Sequence, residues 1–386
     1  MKTEMIAGQG AAKNLPKLLR DRGWPRIALV VDAGVLDHNP YAKEIIELLQ
    51  AGMDQVVLVR CDMAEPTYDY LDQTKQIIEG KTLDCVVGIG GGSTMDLSKG
   101  LATLATNPGK GLQYRGFGKV VNQPLPVVAL PTTAGTGSDV TPNAVFIDTI
   151  EKWKFGINTE YNYPRLAVYD SGFLDSCPAK IYASSGMDAM THTLESFVAK
   201  NATAISRIFS FKAFELLFPN LMKFAEGDRS AETKLNLLVG SGCAGVALMN
   251  AGAGPAGALS YPLGVYFKVP HGLAGSVFLP GVIEFNVSHG YKDYAQLYDR
   301  IPGAKRDLDD TQKSLQFAQE IKNLSARLGI PTELAGFGVK TDQDMQLIID
   351  NAWQLKPAFE QNPLPVGKAE IEQLVRSLGA GNQGKS

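Results

Sequence analysis

Short apolar runs alternate with amphipathic segments through the first half of the chain. RIALVV (26–31), QVVLVR (55–60), DCVVGIG (84–90) and PVVAL (126–130) are nearly unbroken apolar stretches of strand length. That pattern belongs to strands covered on both faces. Between them, YAKEIIELLQAG and YDYLDQTKQIIEG carry apolar residues at helical spacing and close on glycine. PTTAGTGSDV and the segment onward to Ala167 read as a loop and a β-hairpin. From about Ile181 the strand signals fade. YASSGMDAMTHTLESFVAKN, AISRIFSFKAFELLFPNLMKFAE, AETKLNLLVGSGCAGVALMN and LDDTQKSLQFAQEIKNLSARLG all read as helices. The alternation predicts a mostly parallel sheet wound on both faces, followed by an all-α part. The expected domains are 1–178 and 179–386, with the boundary near Ser176–Lys180. No internal repeat is present, and the tail GAGNQGKS is expected to fray.

Composition changes this picture little. A chain of 386 residues exceeds one core of usual size, which favours two domains. A net charge of −3 gives no field for a polyanion, so no nucleic-acid partner is expected. Cys61, Cys85, Cys177 and Cys243 lack CxxC spacing and read as buried thiols of a reducing compartment. With no apolar signal core in MKTEMIAGQG, the expected location is the cytoplasm. Residues 235–267 carry no Asp, Glu, Lys or Arg. Pro255, Pro262, two asparagines and many glycines make buried helices and a tight loop the better reading than a membrane span.

Candidate chemistry starts at DCVVGIGGGSTMDLSKGLA, a strand, a glycine turn and a helix. Gly90, Gly91, Gly92 and Ser93 would cradle a phosphate, because glycines allow close approach and the helix start offers free N–H groups. The alternative is a βα turn that needs glycine for geometry alone. Asp32, at the end of the first apolar run, would accept from a ribose diol and repel a 2′-phosphate, or would simply cap the next helix. Thr132, Thr133 and Thr136 line a cofactor channel or belong to a structural loop. Asp188 and His192 stand at i and i+4 on one helix face, a spacing suited to a divalent metal, with Glu195 placed to orient His192. An ordinary Asp–His pair is the alternative. His271 in VPHG is the third candidate; His38 and His289 are expected at the surface.

The order GGGSTMDLSK, PTTAGTGSD, SGMDAMTHTLES, SYPLGVYFKVPHG resembles the iron-containing (group III) alcohol dehydrogenases over almost the whole chain. The resemblance implies a dehydroquinate synthase-like architecture: an α/β dinucleotide-binding domain, an all-α domain and a site in the cleft. It implies NAD as cofactor, with Gly91, Gly92 and Ser93 as the pyrophosphate loop and Asp96 as a nearby contact. Thr132, Thr133, Thr136, Thr141, Asn143 and Lys154 would be further cofactor contacts. Asp32 resembles the ribose-binding acid of members preferring NADH over NADPH. Asp188, His192 and His271 match three of four ligands for iron or zinc. THTLESFVAKNATAIS, SYPLGVYF and VPHGLAG resemble the branch reducing phosphonoacetaldehyde or sulfoacetaldehyde. Lys154, Lys200, Arg207 and Lys268 are then candidates for binding an anionic end. A homodimer is the family expectation.

Three departures stand out. Gly257 occupies the position of the family's remaining ligand histidine, Asp139 that of a usual glutamate, and Tyr261 that of a second, non-ligand histidine of many relatives outside this branch. A metal would therefore be held weakly or not at all. The readings left open are a metal-assisted reductase, a metal-free reductase with Tyr261 or His271 as proton donor, a dehydroquinate synthase-like lyase using NAD transiently, and a non-catalytic nucleotide-binding protein.

Overall fold

The computed structural model describes residues 2–63, 65–151 and 153–379. The expected fraying of the tail concerns residues that, from 380 on, lie outside those described. The chain divides into two compact units, Met1–Pro178 and Ala179–Ser386.

The first unit holds strands β1 (Glu4–Ala7), β2 (Arg26–Asp32), β3 (Gln55–Cys61), β4 (Cys85–Gly90), β5 (Gly116–Phe117), β6 (Val127–Pro131), β7 (Asn143–Asp148), β8 (Trp153–Asn158) and β9 (Leu166–Tyr169). Its helices are α1 (Leu15–Asp21), α2 (Ala33–His38), α3 (Pro40–Gly52), α4 (Tyr68–Ile78) and α5 (Gly92–Thr106). Six strands form one sheet in the order β1-β9-β6-β4-β2-β3, every pair parallel. β4 and β6 are buried at every residue, as their unbroken apolar sequences require, whereas the edge strand β3 exposes Leu58 and Arg60. The chain runs from β2 outward to β3 and then back across to β4. β2 and β4 therefore flank the topological switch point, where ligands of open parallel sheets bind at the carboxyl ends. β7 and β8 pair antiparallel, which is the expected hairpin.

Two strands were not legible. β1 and β9 are four residues each, too short to show a period, and β9 inserts between β1 and β6 where the sequence suggests only loop and hairpin. Their pairing is decided by distant partners, such as Val128 opposite Leu166.

The second unit is helical: α6 (Ala179–Val198), α7 (Ala204–Ala225), α8 (Ala231–Ala251), α9 (Pro255–Phe267), α10 (His271–Ser288), α11 (Ala295–Tyr298) and α12 (Asp310–Arg327) lead to further short helices. α6 packs against α7, α8 and α10, and α9 packs against α10. The uncharged stretch 235–267 is bent by 107° between α8 and α9. Gly252, at φ 103°, ends α8 in backbone that favours glycine, and Pro255 starts α9 where its missing N–H costs nothing. No single helix among the described residues is long and apolar enough to cross a membrane. His38 and His289 are exposed, as expected. All four cysteines are unpaired, but only Cys61 and Cys85 are buried; Cys177 and Cys243 are half-buried, short of the full burial expected.

Candidate functional site

The glycine loop joins β4 to α5 at the switch point. None of Gly90, Gly91 and Gly92 has a positive φ. What these positions lack is room for a side chain. A Cβ on Gly90 would lie 2.4 Å from Thr94 Oγ1, on Gly91 3.2 Å from Thr133 Oγ1, and on Gly92 2.8 Å from Thr136 Oγ1. Thr133 and Thr136 thus pack on the loop itself, and Thr132 N–H donates to the Gly90 carbonyl at 2.9 Å. Gly91 caps α5 without a side-chain hydrogen bond, and Ser93 lies in its first turn. An uncapped helix start lined by glycine is the arrangement that accepts a phosphate, so these residues fit a dinucleotide.

Other expected contacts are already engaged. Asp96 accepts from Ser138 Oγ at 2.7 Å and from Val145 N–H at 3.1 Å; burial raises its pKa. It ties α5 to the hairpin. Asp139 is buried, accepts from the Tyr169 hydroxyl, and has its pKa raised by burial. The buried Lys99 was not singled out by the sequence. Its ammonium donates to Ser138 Oγ at 2.7 Å, to the Thr141 carbonyl at 2.9 Å and to the Asn143 carbonyl at 2.8 Å. Burial pushes its pKa down to about 8, against Asp96 and Asp139. A lysine one turn after an aspartate in an otherwise uncharged helix was the available signal. Lys154 forms an ion pair with Glu65 at 2.6 Å. Asp32 accepts from Val35 N–H at 3.0 Å and so caps α2, while its residue stays half-buried at the end of β2.

In the second unit, Asp188, His192 and His271 each offer a ligand atom, all within 4.8 Å of one another. Asp188 Oδ1 is 3.8 Å from His192 Nε2 and 3.9 Å from His271 Nε2. A tetrahedral zinc with bonds of about 2.0–2.2 Å would hold such atoms roughly 3.3 Å apart. A carboxylate and two imidazoles, their ligand atoms up to 4.8 Å apart, are a donor set that fits a divalent ion once the side chains draw together. Helical spacing places Asp188 and His192. His271 arrives because Gly272 lets α10 press against α6: a Cβ there would lie 2.1 Å from the Ser184 carbonyl and 2.9 Å from Asp188 Cβ.

Glu195 is a correction. It does not orient His192, whose buried Nδ1 has no hydrogen-bond partner among the described residues. Its buried carboxylate instead accepts from the N–H groups of Gly254 (2.9 Å), Ala256 (2.6 Å) and Gly257 (3.2 Å), holding the start of α9. Burial pushes its pKa up to about 7, opposed by the N–H groups of Gly254, Gly257 and Ala256. The sequence interval of about sixty residues hid this pairing. Gly257 lies on α9, and a Cβ on it would approach Glu195 Oε2 to 3.1 Å. One turn on, Tyr261 is 40% exposed, and its ring stands edge-on to His271, 5.4 Å between centroids. Of the basic candidates, Arg207 pairs with Asp293 at 3.0 Å, and Lys200 and Lys268 are exposed.

Residues 2–171 match the family described as iron-containing alcohol dehydrogenase, and 182–379 match the Fe-containing alcohol dehydrogenase family, C-terminal. The chain is 28% identical to the NAD-dependent methanol dehydrogenase of Bacillus methanolicus over 96% of its length and 97% of the relative's. It is 30% identical to the 1,3-propanediol dehydrogenase of Citrobacter freundii over 92% and 91%. The crystal structure of sulfoacetaldehyde reductase from Bifidobacterium kashiwanohense in complex with NAD+ superposes with a TM-score of 0.89 at 25% identity, covering 99% of this chain and 98% of that one. The switch-point glycine loop, the Asp188–His192–His271 cluster and these matches agree: the chain belongs to the iron-containing alcohol dehydrogenase family and is an NAD(P)-dependent alcohol dehydrogenase or aldehyde reductase.

Proposed function

We propose that the chain interconverts a short aldehyde and its primary alcohol with NADH in preference to NADPH, at a divalent metal held by Asp188, His192 and His271. The convergence of those three side chains carries this reading. Three protein ligands suffice for a catalytic zinc, and two histidines with one carboxylate suffice for iron(II). When bound, the nicotinamide supplies the hydride and the metal polarises the carbonyl. The chain's own part is positional. The glycine loop and its threonines would seat the pyrophosphate, and Asp32, capping α2 through Oδ1, keeps a negative charge at the end of β2 that disfavours a 2′-phosphate. Asp188, His192 and His271 would present one anionic and two neutral ligands, leaving the place beside Gly257 for substrate or water. Affinity for the metal should be weaker than in a four-ligand site.

The substrate reading is a two- or three-carbon aldehyde, with sulfonate- or phosphonate-bearing members the leading candidates; its support is the likeness to sulfoacetaldehyde reductase. A cytoplasmic homodimer completes the proposal, in keeping with four unpaired cysteines. A second reading, proton donation by Tyr261 without metal, is favoured by that phenol's exposure beside His271. The test is NADH oxidation across short aldehydes, including sulfoacetaldehyde and phosphonoacetaldehyde, with chelator and with added Zn²⁺ or Fe²⁺. Metal-dependent turnover is expected. No oxidation of NADH under any metal condition rejects the proposal, and turnover that survives exhaustive chelation replaces it with the second reading.

A further inference from the structure

The two imidazoles of the cluster are held in different ways. His192 Nδ1 is buried and without a hydrogen-bond partner among the described residues, whereas His271 Nδ1 lies 2.9 Å from Ser260 Oγ. Ser260 is fully buried on α9, and its Oγ is also 2.6 Å from the Gly257 carbonyl oxygen. Two oxygens that close attract only with a proton between them, and a carbonyl has none to give. The single hydroxyl proton therefore goes to Gly257. The serine oxygen is left as an acceptor, so its contact with His271 is favourable only when Nδ1 carries the imidazole proton. Nε2, 3.9 Å from Asp188 Oδ1, then presents its lone pair to the cluster.

We propose that Ser260 is a positioning residue that holds His271 in the Nδ1–H tautomer, with Nε2 ready to bind a cation. The usefulness of that orientation rests on the metal-site reading above; the tautomer itself does not. The serine is fixed in turn. Its acceptor, the Gly257 carbonyl, belongs to a residue whose N–H is bound by Glu195. The side chain of His271 is 37% exposed, so without Ser260 water would let both tautomers exchange. The chain that lacks an imidazole at 257 thus uses the same turn of α9 to orient one that it keeps.

The test uses the full chain labelled with ¹⁵N-histidine and freed of metal by chelation, at mildly alkaline pH where imidazole is neutral. The ring ¹⁵N shifts report which nitrogen is protonated. Four histidines make His271 assignable by its loss in His271→Gln. Wild type should show Nδ1–H at His271. Ser260→Ala should move it toward Nε2–H and weaken Zn²⁺ binding, read by competition with a chelating dye, by about 10–100-fold, the scale for losing a ligand's orienting partner. Ser260→Thr, which keeps the hydroxyl, should restore both. Nε2–H at His271 in wild type overturns the proposal, as does a Ser260→Ala protein unchanged in tautomer and zinc affinity. If Ser260→Ala does not fold, the wild-type tautomer and the threonine variant decide. A wild type that binds no zinc yet shows Nδ1–H, lost in Ser260→Ala, supports the assignment while rejecting the metal-site reading.

Discussion

Gly91 and Gly257 lie in different units, yet each has its Cβ position crowded to nearly the same degree, by Thr133 Oγ1 at 3.2 Å and by Glu195 Oε2 at 3.1 Å. The obstacles differ in kind. Around the glycine loop they are threonine side chains at a half-exposed helix start, on a segment tied down by Asp96 and Lys99. At Gly257 the obstacle is a buried carboxylate held by backbone N–H groups. The loop leaves a helix end without a side-chain cap. The turn at Gly257 is already filled by Glu195. A glycine at 257 is therefore more than a missing histidine. It is coupled to Glu195, and Gly257→His would have to displace a group that organises α9.

The largest effect that would sharpen this contrast is on the proton. If the cluster is weak enough to need help, Tyr261→Phe lowers the rate of aldehyde reduction by about 10²-fold while NADH affinity, measured by fluorescence titration, stays at the wild-type value. Near-normal turnover that disappears on chelation would show the cluster sufficient by itself. On the nucleotide side, Gly92→Ala puts a Cβ 2.8 Å from Thr136 and should weaken NADH binding by about tenfold, from roughly 1–3 kcal/mol of overpacking. The added change Thr136→Ala should recover most of the loss, and a double variant no better than the single would remove the steric account.

The third effect is on stability. The Glu195 pKa is raised on folding from 4.5 to about 7, so the native state holds that proton more tightly than the unfolded chain. The contribution is complete below pH 4.5, falls as pH rises to about 7 by up to about 1.4 kcal/mol per pH unit, and is constant above. Urea unfolding of the chelated protein from pH 5 to 8 should show this slope, and Glu195→Gln should flatten it. Smallest is the cofactor choice. Asp32→Asn keeps an oxygen for Val35 while removing the charge, and should raise relative NADPH efficiency several-fold, on the order of 1 kcal/mol. Equal use of both cofactors by the wild type would refute the role given to Asp32.

Much of this was legible in the chain. The apolar runs at β2, β3, β4 and β6 announce a parallel sheet because each is continuous and local. The i, i+4 spacing announces Asp188 and His192 for the same reason. Contacts across long intervals left no such trace. β9 is recognisable only beside β6, Glu195 only beside α9, and Ser260 only once the α9–α10 turn brings it against His271. Local spacing even misled at Glu195, where three residues along a helix suggested His192 as the partner. The carboxylate went to the start of α9, whose N–H groups at Gly254, Ala256 and Gly257 have no helical acceptor, a stronger attraction than one neutral imidazole.

Lys99 has a consequence for how this sequence can drift. Its three hydrogen bonds satisfy one hydroxyl and two carbonyls, and those to Ser138 and Thr141 are buried away from water. Exchanging it for methionine, similar in length, would leave the buried Thr141 carbonyl without this donor, although the Ser138 hydroxyl keeps its bond to Asp96. Descendants of this chain are thus expected to keep the lysine while the surface around it diverges, so the position is held by its neighbours' needs and not by any contact with a reactant.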